Sequence, residues 1–215
     1  MSVSIIIPTY NRKKFEKLIE YNINCQLYPN ILEVVIGDDG DEELSLNIPY
    51  PIQYIKCHRM SIGEKRNLLC SQAKGDYIAH MDTDDVYFPT FISYSMEVLE
   101  REKKNAIGTA DMIFIFPDGK KGAMRNPYLS MANEATLVYK KSFWREKGFS
   151  EQQSSEGIHF LEGRHWQIAH SDILKIMICI CHSSNTVDKK HWKEYNVDSF
   201  PEYEKHKAIL DTISL

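Results

Sequence analysis

Three carboxylates stand within four residues at the end of a short apolar run. The run Tyr77–Met81 leads directly into Asp82, Thr83, Asp84 and Asp85. Like charges this close raise one another's pKa and repel, so the cluster is costly unless a cation lies among the carboxylates. Hard oxygen ligands suit Mg²⁺ or Mn²⁺, which keep a few protein carboxylates and complete their coordination with water and substrate phosphates. The cluster therefore predicts a site for a divalent metal bound to a diphosphate.

The same acidic turn also has a purely structural interpretation. Asp85 or a neighbour could cap the helix that Pro89 begins, since aspartate is a favoured N-cap and proline a favoured first helical residue. The motif alone leaves both interpretations open, and the elements that position it have to decide between them.

Composition narrows the possible partners. The 215 residues suffice for one substantial domain, expected to span 1–215, and are few for two. With 43% apolar and 26% charged residues the chain resembles ordinary soluble globular proteins. A net charge of −4 supplies no basic field for nucleic acid or an anionic membrane. An anionic substrate must therefore be held by a local site and its metal.

Cysteine usage and hydropathy indicate a reducing setting. The five cysteines show neither zinc-site spacing nor a disulfide framework, and Cys179 and Cys181 are expected to be small buried residues on one face of a strand. No apolar stretch reaches the roughly 18 residues of a membrane span, and Met1 leads into a strand without a charged and apolar leader. We expect a cytoplasmic protein without a transmembrane segment.

The first half of the chain alternates strand and helix patterns. Strands are predicted at Val3–Ile7, Leu32–Ile36, Ile52–Lys56 and Asp76–Met81, and helices over about 12–26 and from the Ser61 and Glu64 capping box to Gly75. Such repeated units predict a mainly parallel sheet, in which ligands bind beyond the carboxyl ends of the strands. Thr9 and Tyr10, Asp38 and Asp39, and the acidic turn each follow a strand, so we expect them to line one crevice.

The second half predicts a mixed continuation of the sheet. A helix is predicted from about Pro89 to Lys104, strands near Asp111–Phe116, Thr136–Tyr139 and Ile173–Cys181, a short helix capped by Ser142 that ends at Gly148, and a tail helix from about Glu202 to Ile213. The expected fold class is α/β, with a mainly parallel mixed sheet flanked by helices in a single domain.

Four segments in this order and spacing resemble the family 2 glycosyltransferases of the GT-A fold. They are Ser4–Arg12, Val34–Gly40, Gly63–Asn67 and Lys74–Asp85. The resemblance implies a Rossmann-like GT-A domain that transfers a sugar from a UDP-sugar to a glycan or glycoconjugate hydroxyl with inversion, using Mn²⁺ or Mg²⁺. Residues 1–105 would bind the nucleotide-sugar and 106–215 the acceptor. The compact chain is also similar to chlorella-virus glycosyltransferase domains, which would place it in a host cytoplasm.

This resemblance assigns a nucleotide site to the first half. Thr9, Tyr10 and Asp39 would hold the nucleoside, with Tyr10 stacking near uracil and Asp39 accepting the ring imide proton. A carboxylate there would favour uracil, whose N3 donates, over cytosine, whose N3 accepts. Arg66 would reach the base or the diphosphate, and Arg12 belongs to the same nucleotide-contacting set.

The resemblance also assigns the metal ligands. Asp84 is the position that most often binds the ion, while Asp82 or Asp85 would contact the ribose or complete the coordination shell. His182 corresponds to a histidine that contacts the metal or diphosphate in some members. The metal would act as a Lewis acid on the departing nucleoside diphosphate. The sequence leaves open which carboxylate binds the ion directly.

Inverting transfer needs a general base for the acceptor hydroxyl. In the family that the chain resembles, the base is an acidic residue, commonly an Asp after a Glu, at the start of a helix beyond a Gly-Phe pair. Here Gly148 and Phe149 are followed by Glu156, but Gly157 stands where the Asp is expected. We expect Glu156 to be the base, with Glu162 as the alternative, although either suits the first turn of an ordinary helix.

Two other functions compete with glycosyl transfer. A nucleotidyltransferase would need a phosphate-binding loop rich in glycine and basic residues after the first strand. This chain has Pro8–Arg12 at that place. A non-catalytic nucleotide-sugar-binding module, as one domain of a longer polypeptide, is kept open by the missing Asp after Glu156.

Overall fold

The computed structural model describes residues 1–183 and 185. Its strands are β1 Val3–Thr9, β2 Ile31–Asp38, β3 Ile52–Lys56, β4 Tyr77–His80, β5 Val86–Tyr87, β6 Ala106–Gly108, β7 Met112–Ile115, β8 Lys121–Met124, β9 Val138–Lys140, β10 Ile168–His170 and β11 Met177–Ile180. Its α-helices are α1 Glu16–Asn24, α2 Ile62–Gln72, α3 Phe91–Glu102, α4 Lys141–Glu146 and α5 Glu156–Leu161. The tail helix predicted from Glu202 to Ile213 lies outside the described residues.

A seven-stranded sheet organises the molecule, with strand order β10-β6-β9-β4-β1-β2-β3. The β9 strand is antiparallel to its neighbours β4 and β6, and the other neighbouring pairs are parallel. All seven residues of β1 are buried, as expected for a strand covered by helices on both faces. The predicted α/β class with a mainly parallel mixed sheet is therefore confirmed.

A second sheet, which the sequence analysis did not predict, joins distant parts of the chain in the order β5-β11-β7-β8. The β5 strand begins immediately after the acidic turn, and β11 ends two residues before His182. Because β5 and β11 pair antiparallel, they bring the acidic turn and the His182 segment together. An apolar core continues from β1 through α1 and α3 into β7 and β11, so the two sheets share one interior.

One local prediction is confirmed and two are wrong. The α2 helix has the predicted capping box, with both hydrogen bonds between Ser61 and Glu64 present. Ser142 does not cap α4, because β9 runs directly into that helix and Lys140 stands at its N-cap. The late strand is shorter than predicted, since residues 173–175 form a 3₁₀ turn capped by Asp172. An apolar run alone does not distinguish such a turn from a strand.

Two of the cysteines lie at or next to the end of β11. Cys179 and Cys181 are free and buried, as predicted. No helix among residues 1–183 is long and apolar enough to cross a membrane.

Candidate active site

A cleft of about 680 Å³ opens beyond the carboxyl ends of β1 and β4. The predicted site residues that line it are Thr9, Tyr10, Arg12, Arg66, Asp82, Asp84, Asp85 and Glu156. Residues that the sequence analysis did not single out also line it, namely Arg59, Lys65, Asn133, Glu134 and the segment 153–155. The β1 and β4 strands are parallel neighbours, so their following loops meet at this edge, as the sheet rule requires.

Asp39 lies beneath one corner of the cleft, with a fully buried side chain. Its Oδ1 is paired with Lys65, while Oδ2 accepts hydrogen bonds from Arg59 Nη1 at 2.9 Å and from the Met60 backbone N–H at 3.2 Å. Burial opposes ionisation of the carboxyl, but the Lys65 and Met60 hydrogen bonds and the Lys65 charge outweigh it and lower the pKa of Asp39. Asp39 is thus a carboxylate with a pre-organised acceptor edge.

Tyr10 and Thr9 form the wall beside Asp39. The Arg59 guanidinium lies over the Tyr10 ring, 3.8 Å from its centroid. The Thr9 Oγ1 is buried and has no hydrogen-bond partner among the described residues, although Thr9 lines the cleft. A buried hydroxyl without a partner is costly, so this oxygen is available to a group that enters the cleft. This corner therefore offers a ring face, a carboxylate and an unsatisfied hydroxyl to one ligand.

The three carboxylates of the acidic turn contact different partners. Asp82 Oδ1 accepts a hydrogen bond from Arg66 Nη2 at 3.2 Å. Asp85 is buried, and its Oδ1 accepts the backbone N–H of Ile180 at 3.1 Å, which fastens the turn to β11. Burial raises the pKa of Asp82; the Arg66 charge opposes this rise and the Asp84 charge adds to it. The turn is thus both a structural anchor and a source of cleft-facing carboxylates.

Asp84 is the carboxylate of the turn with a potential metal-binding partner. His182 Nε2 lies 3.0 Å from Asp84 Oδ2, and Arg12 Nη2 lies 3.6 Å from the same oxygen. Within the described part of the chain no three His, Cys, Asp or Glu side chains converge as a complete metal site. One carboxylate and one imidazole still suit Mn²⁺ or Mg²⁺, because these ions take remaining ligands from water and substrate phosphates. The donor set therefore fits a metal that is held jointly with a diphosphate.

Arg66 is the centre of a buried network below the cleft. Besides Asp82, its Nε donates to Glu156 Oε1 at 2.8 Å and its Nη1 to His80 Nδ1 at 3.0 Å. His80 Nε2 then lies 2.7 Å from Tyr139 Oη. Burial and the Arg66 charge hold the pKa of His80 well below its usual range, so the imidazole is neutral and accepts from Arg66. This position favours a role for Arg66 in holding carboxylates over contact with a nucleotide.

Glu156 begins α5, and its position depends on α2. The Gly63 N–H in the first turn of α2 donates to the Gln152 carbonyl at 3.1 Å, and a Cβ at Gly63 would overlap the Ser150 carbonyl oxygen. The absence of a side chain at Gly63 therefore lets the segment before α5 pack against α2. Arg66, one turn further along α2, then reaches Glu156, which is 3% exposed.

Glu134 is a functional candidate that the sequence analysis missed. It follows Asn133, whose Oδ1 accepts the Ala135 N–H at 3.0 Å, and it is half-buried at the edge of the cleft. Its Oε1 accepts the Gly157 N–H at 2.8 Å. Nothing in the sequence around Glu134 distinguishes it from an ordinary turn glutamate; only its proximity to α5 does.

Glu162 lies away from these groups. It is exposed at the C-terminal end of α5, does not line the cleft and is separated from Glu156 by the length of that helix. This position does not support Glu162 as the alternative base, because only the first turn of α5 lines the cleft.

Comparison with known proteins assigns the chain to a family. The sequence model of the family described as "Glycosyl transferase family 2" matches residues 4–163. The Escherichia coli UDP-Glc:alpha-D-GlcNAc-diphosphoundecaprenol beta-1,3-glucosyltransferase WfaP is 34% identical in an alignment 110 residues long, and the match covers 47% of this chain and 42% of that protein. The chain spans between 15% and 42% of the length of eight bacterial relatives that it matches. These relatives lend no support to a chlorella-virus origin.

Two solved structures share the fold at low sequence identity. Staphylococcus aureus TarS 1-349 in complex with UDP-GlcNAc has a TM-score of 0.62 and 18% identity, and the match covers 99% of this chain and 66% of that one. The mannosyltransferase PcManGT from Pyrobaculum calidifontis in complex with GDP-Man and Mn²⁺ has a TM-score of 0.60 and 16% identity, covering 88% and 58%.

Proposed function

Because the chain belongs to glycosyl transferase family 2, we propose that it transfers a sugar from a UDP-sugar to a hydroxyl group of a glycan or glycoconjugate. The proposal includes a divalent metal, Mn²⁺ or Mg²⁺, and inversion at the anomeric carbon. The E. coli relative whose name specifies a UDP-Glc donor and the TarS complex with UDP-GlcNAc support the choice of a uridine nucleotide.

The contacts of Arg59 support uracil as the base of the bound nucleotide. Its planar guanidinium stacks on the Tyr10 ring at 3.8 Å and donates to Asp39 Oδ2 at 2.9 Å. A uracil ring that stacked on Tyr10 and donated its N3–H to Asp39 would make the same two contacts. The Arg59 side chain is 53% exposed, so it can leave this position at little cost. We infer that uracil replaces the Arg59 guanidinium, while Lys65 keeps Asp39 ionised.

The carboxylates and the histidine near β5 and β11 would hold the metal-diphosphate. Asp84 and His182 are the protein ligands that fit such a metal. Asp82, in the same turn as Asp84, is hydrogen-bonded to Arg66. The metal, when bound, supplies Lewis-acid stabilisation of the negative charge on the departing diphosphate. Arg12, which approaches Asp84, would add positive charge on the same side of the cleft. Asp85 serves this site by fixing the turn to β11.

The acceptor would approach from the α5 side of the cleft. Glu156 and Glu134 both line the cleft there. Arg66 orders this side, since its pairing with Glu156 and Asp82 fixes α5 relative to the acidic turn. A carboxylate on this side of the cleft would take the acceptor hydroxyl proton.

Thermal-shift measurements with UDP, GDP and CMP, each with and without Mn²⁺, test the donor site. A ligand at a hundredfold excess over its Kd stabilises the folded protein by about 2.7 kcal/mol. We expect UDP with Mn²⁺ to raise Tm more than GDP or CMP, and Arg59→Ala to retain the UDP response because the arginine is displaced. A larger response to GDP than to UDP would overturn the uracil assignment.

A UDP-release assay separates an enzyme from a binding module. The wild-type protein with Mn²⁺ is given UDP-glucose, UDP-GlcNAc and other UDP-sugars, with water or simple glycans as acceptors. Release of UDP from at least one donor is the expected result. Binding of UDP without release from any donor would favour the non-catalytic module over a glycosyltransferase.

A further inference from the structure

Glu134 occupies the space next to α5 that a side chain at position 157 would otherwise fill. A Cβ built on Gly157 would overlap Oε1 of Glu134, and that oxygen already accepts the Gly157 N–H at 2.8 Å. The missing side chain in the first turn of α5 is therefore matched by a carboxylate that arrives from a different segment of the chain. We propose that Glu134, and not Glu156, is the general base that deprotonates the acceptor hydroxyl, an inference that rests on the proposed glycosyl transfer.

The surroundings of Glu156 make it a poor candidate for this step. It is 3% exposed, and Oε1 is engaged by Arg66 Nε at 2.8 Å in a buried ion pair. A carboxylate used in this way holds the arginine and leaves little room for an incoming hydroxyl. Glu156 is better described as a positioning residue that fixes Arg66 and the start of α5.

Glu134 has the access that Glu156 lacks. It is half-buried, lines the cleft, and forms no ion pair with any residue of the described chain. The Gly157 N–H holds one of its oxygens, and the first turn of α5 fixes the direction of the carboxylate. A base that is oriented by a backbone donor keeps its second oxygen for the substrate.

The charges around Glu134 suit proton transfer near neutral pH. Burial and the Glu156 charge raise its pKa to about 7, while Arg66 opposes this shift. The charged groups that face it are thus Glu156 from α5 and Arg66 from α2; His80 from β4 is neutral. A base whose pKa lies close to the working pH is both ionised for much of the time and strong enough to accept a proton.

The proposed step conserves atoms and electrons. The acceptor O–H proton moves to the Glu134 carboxylate, and the acceptor oxygen forms a bond to the anomeric carbon of the sugar. The bond between that carbon and the diphosphate oxygen breaks, and UDP leaves with the electron pair. Glu134 then returns the proton to solvent.

Glu134→Gln is the first test, with Glu151→Gln as a matched control on the exposed loop before α5. Loss of the base should lower kcat for UDP release from a UDP-sugar by about 10²–10⁴-fold, while the UDP and Mn²⁺ thermal shift stays as in the wild type. Glu151→Gln should match the wild type in both. Wild-type kcat in Glu134→Gln would overturn the assignment.

Two further readouts separate a base from a structural residue. The wild-type kcat/KM should rise with pH through about 7, where Glu134 ionises, and this limb should be absent in Glu134→Gln. In the Glu134→Ala background, Gly157→Asp should restore turnover, because a carboxylate then projects from α5 into the vacated space. An unchanged pH limb in Glu134→Gln would overturn the inference. Failure of the wild-type protein to release UDP from any UDP-sugar would instead overturn the proposed function.

Discussion

At the scale of single residues, two neighbouring aspartates of the acidic turn should respond differently to truncation. Asp84→Ala removes the carboxylate beside His182, so we expect loss of the Mn²⁺-dependent part of UDP binding and of turnover, with little change in the free energy of unfolding. UDP titration calorimetry with and without Mn²⁺ measures this. A fully active Asp84→Ala protein would contradict the assignment of Asp84 as a metal ligand.

Asp85→Ala should instead act on stability. It leaves the buried Ile180 N–H without its acceptor and releases the turn from β11, which should cost about 1–3 kcal/mol. Urea unfolding compared with Asp84→Ala measures the difference. Equal stabilities of the two variants would mean that Asp85 is not the anchor of the turn.

Arg66 should matter more for folding than its charge alone suggests. Arg66→Met leaves the buried Glu156 carboxylate and the partly exposed Asp82 carboxylate without their partner, and loss of the buried pair alone is expected to cost about 3–5 kcal/mol. Arg66→Lys keeps the charge but loses the fork that reaches three acceptors, so it should restore only part of the stability. Denaturant unfolding of both variants checks this.

A double variant provides the control for the Arg66 prediction. Adding Glu156→Gln to Arg66→Met removes one unpaired charge and should recover part of the lost unfolding free energy. If the double variant is as unstable as the sum of the single ones, the two groups do not interact in the folded protein.

At the scale of elements, the contact between α2 and the segment before α5 decides where the first turn of α5 lies in the cleft. Alanine in a helix interior is more favourable than glycine by about 1 kcal/mol, so propensity alone predicts that Gly63→Ala stabilises the protein. The overlap of the new Cβ with the Ser150 carbonyl predicts the opposite sign. We expect a lower Tm and reduced UDP release, since α5 must shift away from Arg66.

Ser71→Ala is the matched control for Gly63→Ala. Ser71 is exposed near the end of α2, and its hydroxyl bonds within that helix, donating to the Leu68 carbonyl at 2.6 Å and accepting from Gln72 Nε2 at 3.4 Å. Its replacement should leave Tm and turnover close to the wild type. A stabilising effect of Gly63→Ala equal to the propensity gain would show that the loop tolerates a side chain there.

At the scale of the whole molecule, Glu134 couples the site to the pH dependence of stability. Its folded-state pKa of about 7 lies above the ordinary carboxyl value, so the folded protein binds more protons than the unfolded chain between these values. Its contribution to stability is therefore present below the ordinary value and is lost as the pH rises through 7. His80 acts in the opposite direction, because its lowered pKa gives stability that is lost as the pH falls below about 6.5.

Comparison with Glu134→Gln isolates the glutamate, since both proteins retain His80. At pH 8 we expect the variant to be more stable than the wild type by about 2–3 kcal/mol, a rise in Tm of roughly 5–10 °C, because it buries no carboxylate charge and each unit of the shift from 4.5 to about 7 is worth about 1.4 kcal/mol. At pH 5 the difference should be small. Urea unfolding at the two pH values measures it, and equal differences at both would contradict the raised pKa.

Local sequence patterns were sufficient to predict the framework of the nucleotide side. Continuous apolar runs predicted β1, β2 and β4, and the Ser61 and Glu64 pair predicted the start of α2, because strand burial and capping depend on residues that are near one another in sequence. The rule for parallel sheets then placed Thr9, Tyr10 and the acidic turn at one edge. Their roles in binding remain predictions.

The tertiary structure decided which side chains meet. Asp84 and His182 are 98 residues apart, and Arg66 and Glu156 are 90 apart, so each pair is brought together by strand pairing or helix packing that local patterns do not encode. The same holds for Glu134, whose carboxylate reaches Gly157 from another segment. The sequence by itself determined a parallel α/β sheet with acidic residues at its edge; the second sheet and the packing of α5 decided which carboxylates are buried, paired or open to an acceptor.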